Sequence, residues 1–152
     1  MSILRNYDLM DFNMARAANV VIKPPFGPDK KYLHDPNSIF VFGSNLAGAH
    51  GGGAAATALK KYGAIPGQGF GLQGESYAIP TKDHKIATLR FTEVAYWIEQ
   101  FHKWAMFNEY IYNEIFVTKI GCGLAGFTEQ QIAPLFKQYS WHNRVTLPTG
   151  WR

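Results

Sequence analysis

Two glycine clusters hold the residues whose types and spacing suit chemistry. The first, Gly43-Ser44-Asn45-Leu46-Ala47-Gly48-Ala49-His50-Gly51-Gly52-Gly53, runs directly into Ala54-Ala55-Ala56. The second is Gly121-Cys122-Gly123-Leu124-Ala125-Gly126-Phe127. Glycine belongs where the backbone needs positive φ or must let another group come close. A glycine turn that opens a helix also leaves unpaired N–H groups carrying about half a positive charge, which suits a phosphate. Thr128 and Gln131 form a capping-box pair just past Gly126, so a second helix opens there, and a second phosphate is expected at it. Two phosphates on two loops suggest a diphosphate.

Several titratable groups stand near these loops. His50 lies inside the first cluster, and an imidazole can act as a general base near neutral pH. Asp83, beside Lys82, and Glu75 are further candidate bases. The plain readings are a loop histidine making one hydrogen bond and carboxylates in solvent at strand ends. Cys122 would need a histidine partner to act as a nucleophile. His34, His84, His102 and His142 have no metal-ligand spacing, so neither a metal nor a cofactor is predicted. Phe70, Tyr77 and Phe127 are rings that could stack on a flat ligand, Phe127 being the best placed.

The elements that must position these residues follow from the apolar pattern. Ser38-Ile39-Phe40-Val41-Phe42 is a short continuous apolar run, as in a strand buried on both faces, and the first cluster starts at its end. Residues 54–62 read as a helix, with Gly63 as a left-handed cap and Lys60 and Lys61 in the last turn. Residues 64–74 read as loop, 76–80 as a strand closed by Pro80, and 92–110 as a helix. In that helix Phe91, Val94, Ile98, Phe101, Ala105 and Asn108 share a face. Residues 115–120 read as a third strand, followed by the second cluster, a helix from Thr128 interrupted by Pro134, and a final edge strand over 144–147. Residues 14–18 suggest a helical turn and 19–23 a strand, within an N-terminal extension, 1–37, that no other feature explains. Strands alternating with helices predict an α/β fold, a three-layer α/β/α arrangement around a central mixed sheet, in one domain over 1–152.

Composition narrows the function classes. Fifteen basic and eleven acidic residues give a net charge of +4, enough to favour an anionic ligand, with no run of five like charges that would make a nucleic-acid arm. No apolar run spans a bilayer, so no membrane partner is predicted. The opening residues, 1–8, have no secretory leader pattern, and a lone cysteine forms no internal disulfide. A cytoplasmic location is therefore expected. There is no Gly-Lys-Ser/Thr, which excludes a Walker A loop. Gly69-Phe70-Gly71-Leu72-Gln73-Gly74 matches the dinucleotide-binding pattern in letters only, since it neither follows a strand nor opens a helix.

Ile39-Phe40-Val41-Phe42-Gly43-Ser44-Asn45, then Gly51-Gly52-Gly53-Ala54-Ala55-Ala56, then Ile120-Gly121-Cys122-Gly123-Leu124-Ala125-Gly126-Phe127 together resemble the macrodomain pattern over roughly residues 38–136. The second loop is similar to that of the macrodomain ADP-ribose glycohydrolases. The resemblance implies binding of ADP-ribose: Asn45 at the distal ribose, Gly51 to Gly53 along the diphosphate and distal ribose, and Gly121 to Gly126 wrapping the phosphates, with Cys122 a small lining residue. It makes Lys82 the nearest match to a lysine acting at the distal ribose. Where that group carries an aspartate in the second loop, this chain has Ala125 or Gly126.

The expectation is a domain that binds ADP-ribose or a related ADP-ribosyl nucleotide, as a glycohydrolase or an ADP-ribose-phosphate phosphatase. Catalysis would draw on Lys82 for developing charge, with His50, Asp83 or the substrate's phosphate activating water. Two alternatives stay open: a non-catalytic reader that sequesters the nucleotide signal, and, more weakly, an oligonucleotide-binding protein.

Overall fold

The computed structural model describes residues 37–152, so the turn and strand expected at 14–23 lie outside the described residues. The elements run β1 (Ser38–Asn45), α1 (Gly53–Lys61), β2 (Gly71–Gln73), β3 (Ser76–Lys82), α2 (Phe91–Asn108), β4 (Glu114–Val117), α3 (Glu129–Lys137) and β5 (Val145–Thr146). Strand order in the sheet is β2-β3-β1-β4-β5. β1 is parallel to both β3 and β4, β4 is parallel to β5, and among the described strands β2 alone is antiparallel, to β3. The fold is α/β, with helices on both faces of a five-stranded mixed sheet.

Alternation along the strands divides the core. Ile39, Val41, Tyr77, Ile79, Ile115 and Val117 point to one face, where they meet Val94, Ile98, Phe101 and Trp104 of α2 and Ile132 and Phe136 of α3. Phe42 and Ala78 point to the other, under Ala55 and Ala58 of α1. Small alanines let α1 sit close on the strands. On the same face Phe40 stacks between Tyr62, the C-cap of α1, at 4.5 Å and the half-exposed Phe116 at 6.3 Å. Trp97 and Trp104 are both core residues, and the penultimate Trp151 is buried on Phe136 at 5.2 Å.

Several boundaries differ from the expected ones. β1 continues through Gly43, Ser44 and Asn45, because β3 pairs with it to Lys82. β3 passes through Pro80, which is tolerated because pairing with β2 has ended at Ala78 and the register to β1 breaks just beyond, between Ser44 and Asn45. The third strand stops at Val117 rather than at Ile120, and the last is only Val145–Thr146. Residues 71–73, expected as loop, form the first arm of the β2–β3 hairpin. The G-x-G-x-x-G letters are therefore a hairpin, not a phosphate turn. α3 carries Pro134 in its interior and still runs to Lys137.

Glycines 63 to 74 act as a backbone rest for the first cluster. Gly48 has φ 71°, and a Cβ there would lie 2.3 Å from the Gly67 carbonyl carbon. A Cβ on Gly69 would lie 2.5 Å from the Asn45 carbonyl oxygen, and one on Gly74 2.6 Å from that of Gly63. Gly67 N–H donates to Gly48 O at 2.9 Å, which closes the contact. Gly48→Ala is expected to destabilise the fold by about 3 kcal/mol, from backbone strain and overlap together. The readout is a lower urea midpoint at an unchanged slope; an unchanged midpoint would refute the close-packing account.

Candidate functional site

A cleft of about 1100 Å³ lies beyond the carboxyl ends of β1, β3 and β4. This is where open α/β sheets bind ligands. Gly43, Ser44, Asn45, Gly51, Gly52, Gly53, Gly121, Cys122, Gly123, Leu124, Ala125 and Phe127 all line it, and so does Lys82 at the end of β3. Gly126, with φ 88°, does not line it but turns the second loop, whose base closes through Phe127 N–H to Gly121 O at 2.9 Å. Of the three candidate stacking rings only Phe127 reaches the cleft, against Phe91 at 6.2 Å. Phe70 packs on Trp97, and Tyr77 is buried beside Phe101.

Two stretches of the walls carry unpaired backbone amides. Gly52 caps α1 with no side-chain hydrogen bond, and no acidic residue occupies the first turn. The N–H groups of Gly51 through Ala55 have no acceptor among the described residues. The same holds for Gly123, Leu124 and Ala125 in the second loop. The two loops approach each other: a Cβ on Gly52 would lie 3.0 Å from Leu124 Cδ1. The α3 terminus is different. Thr128 Oγ1 accepts Gln131 N–H at 3.2 Å, the Gln131 side chain takes Thr128 N–H at 2.8 Å, and the Glu129 carboxylate sits in the first turn. That helix start is capped by its own residues, so a second phosphate would rest on the Gly123–Ala125 amides instead.

Side chains hold the loops in shape. Asn45 Nδ2 donates to Ala49 O at 2.8 Å and its Oδ1 accepts Ala49 N–H at 2.9 Å, which leaves one donor and one acceptor position for a ligand. Ser44 Oγ donates to Gly69 O. Thr81 Oγ1 donates to Ser44 O at 3.2 Å and Thr118 Oγ1 to Val41 O at 2.7 Å. Thr88 Oγ1 donates to Ala125 O at 2.9 Å and ties the second loop to the turn after β3.

The candidate bases lie elsewhere. His50 is buried outside the cleft lining, its ring edge-on to Phe42 at 5.3 Å. Its Nε2 faces two acceptors, Ile65 O at 3.0 Å and Gln73 Oε1 at 3.2 Å, so that nitrogen carries the proton; Nδ1 is buried with no partner among the described residues. Asp83 Oδ1 accepts Lys85 N–H at 2.8 Å and Ala87 N–H at 3.0 Å. Those backbone bonds, Ala87 first, hold its carboxyl below the ordinary aspartate range. It too is outside the lining, as is the buried Glu75 between β2 and β3. His102, on α2, contacts Ser140 O at 3.1 Å and stacks on Tyr139.

Among the described residues, Glu129 is the acidic side chain in the lining, and it is engaged. Lys119 Nζ bonds one oxygen at 3.0 Å and Trp151 Nε1 the other at 3.1 Å. The bond from Lys119, then that from Trp151, lowers its pKa. Lining residues that the sequence alone did not single out are Thr81, Ile86, Thr118, Lys119 and Glu129. Thr81, Thr118 and Lys119 follow from the rule that places sites at strand carboxyl ends. Ile86 had no such signal. No three histidine, cysteine, aspartate or glutamate side chains gather as metal ligands would among the described residues, and no helix there is long and apolar enough to cross a membrane.

Cys122 is half-buried in the cleft wall, and burial, then the nearby Glu129 charge, pushes its thiol up. Less thiolate therefore exists near neutral pH than in a free thiol, and alkylation follows the thiolate. Iodoacetamide at pH 8 is expected to modify Cys122 more slowly than a small free thiol, with the gap closing as pH rises. Glu129→Gln should speed the reaction. Faster modification than the free thiol would reinstate an activated nucleophile. Comparison with protein families, curated proteins and solved structures finds no match to this chain.

Proposed function

We propose that the cleft binds ADP-ribose or a closely related ADP-ribosyl nucleotide. The observation that carries this reading is the pair of unpartnered amide rows, Gly51–Ala55 and Gly123–Ala125, lining one cleft. Such rows suit a ligand with two adjacent phosphates, because each row donates several hydrogen bonds to an anion without a counter-charge. Lys82 adds a cation at the end of β3. The volume is at the upper end for small-ligand sites, which suits a dinucleotide-sized molecule rather than a single phosphate. Phe127 offers one flat face, and Asn45 retains a donor and an acceptor for sugar hydroxyls.

Among the described lining residues there is no free carboxylate and no imidazole, which favours a reader over a hydrolase. Should turnover occur, water would bond to the anomeric carbon of the distal ribose as the bond to the acceptor breaks. Its proton would pass to the ligand's own phosphate, and Lys82 would hold the charge that develops.

The test is a thermal-shift titration with ADP-ribose, set against ATP and a short oligonucleotide. Ligand at about a hundred times its Kd stabilises by roughly 2.7 kcal/mol, a rise of roughly 5–10 °C for a domain of this size. Lys82→Ala should weaken ADP-ribose about tenfold, since a charge-assisted contact is lost. An equal rise with ATP, or none with any ligand, would overturn the assignment. A steeply salt-dependent rise with the oligonucleotide alone would favour nucleic acid. Release of free ADP-ribose from an ADP-ribosylated substrate would identify an enzyme.

A further inference from the structure

Among the described residues, every positive φ belongs to glycine except one, Ile86, at 67°. For a β-branched residue this is an outlier, because Cβ crowds the backbone in the left-handed region. The turn that imposes it is firmly built. Asp83 N–H donates to Ala87 O at 2.8 Å, and Ile86 N–H to Asp83 O at 3.1 Å. Asp83 Oδ1 takes the N–H groups of both Lys85 and Ala87. Lys82 and Thr88 pair as an antiparallel bridge below, and Thr88 Oγ1 fastens the turn to Ala125 of the second loop.

Glycine or asparagine would satisfy such a turn without strain. Core packing does not account for isoleucine, since the residue is 44% exposed. Its position does offer an account: Ile86 lines the cleft, four residues beyond Lys82 on the same turn. Leu124, 74% exposed, is the other large aliphatic in that lining. Strain held in place by surrounding structure is a recurrent property of ligand-contacting residues.

We propose that Ile86 is a ligand-contact and specificity-determining residue, whose aliphatic side chain covers the part of the ligand that projects past Lys82. This rests on the reading of the cleft given above, in which that part is the distal ribose and any group attached to it. Ile86 then distinguishes ADP-ribose and its conjugates from nucleotides that end at the diphosphate. The contact is apolar, against the carbon face of the sugar, and the strained turn holds it in position before the ligand arrives.

The experiment is calorimetric titration of ADP-ribose and of ADP into the wild-type chain, Ile86→Ala and Ile86→Gly, with melting temperatures of the free proteins. Both substitutions should weaken ADP-ribose about fivefold while ADP changes by less than about twofold, since only the longer ligand loses apolar contact. Glycine accepts the left-handed backbone, so Ile86→Gly should melt about 2 °C above Ile86→Ala, the reverse of their usual order. Unchanged affinity for ADP-ribose, or equal weakening of ADP, would overturn the contact. Ile86→Gly melting below Ile86→Ala would overturn the strain. Absence of binding of either ligand to the wild-type chain would show instead that the reading of the cleft is wrong, and the inference would fall with it.

Discussion

The whole site depends on one close contact between two stretches of backbone. The first glycine loop leaves β1 and is carried by residues 63–74, where Gly48 lies on Gly67, Asn45 on Gly69 and Gly63 on Gly74 with no room for a side chain at Gly48, Gly69 or Gly74. That proximity would be weak if unbonded, and Gln73 reinforces it. Its Oε1 takes Ile65 N–H at 2.8 Å and faces His50 Nε2, and its Nε2 donates to Gln68 O at 3.2 Å. Gln68 in turn reaches Phe70 O and Leu72 O. A fully buried glutamine whose amide is satisfied by surrounding main chain specifies one loop arrangement, because any other would leave its polar atoms orphaned. The amides of Gly51 to Ala55 are free to meet a ligand because the segment before them is so firmly held.

The second loop is supported by different means. Its base is closed by main-chain bonds within 121–127, its middle is tied through Thr88 to the turn after β3, and its far end runs into the capping box of α3. Glu129 links that helix start to Lys119 behind β4 and to Trp151 near the end of the chain. The cleft therefore lies between one loop anchored by glycine contacts and another anchored by side chains. Its three strands converge because β1 is central and parallel to neighbours on both sides.

Much of this was legible in the residues. The apolar runs at 38–42 and 115–120 and the helical spacing over 92–110 marked elements whose burial pattern dictates their type, and both glycine clusters pointed to strand ends, although β1 runs on through Asn45 and β4 stops at Val117. What could not be read depends on distant partners. β2 is three residues long and mostly defined by pairing with β3, so glycine content pointed to loop. His50 has the sequence context of a ligand loop, but its imidazole turns to Gln73, twenty-three residues away. Asp83 looked like a base beside Lys82 and instead staples a turn. Thr128 and Gln131 were recognisable as a capping pair, yet only the geometry shows that such a cap occupies the helix start a phosphate would have used. The family resemblance rests on the same two glycine clusters, and what it adds, the ADP-ribosyl ligand, belongs to the proposal.

A recognition surface made of peptide N–H groups has a property that side-chain sites lack. Peptide amides neither gain nor lose protons over the range in which proteins stay folded, and they cannot be acetylated, phosphorylated or oxidised away. The donors at Gly51–Ala55 and Gly123–Ala125 thus present a constant array to any bound anion, and variation of their grip with acidity would come from the anion's own ionisation. Mutational drift acts on such an array only indirectly, through the shape of the backbone, so under the proposed reading the glycines that set that shape, rather than any charged side chain, would be the heritable determinant of recognition.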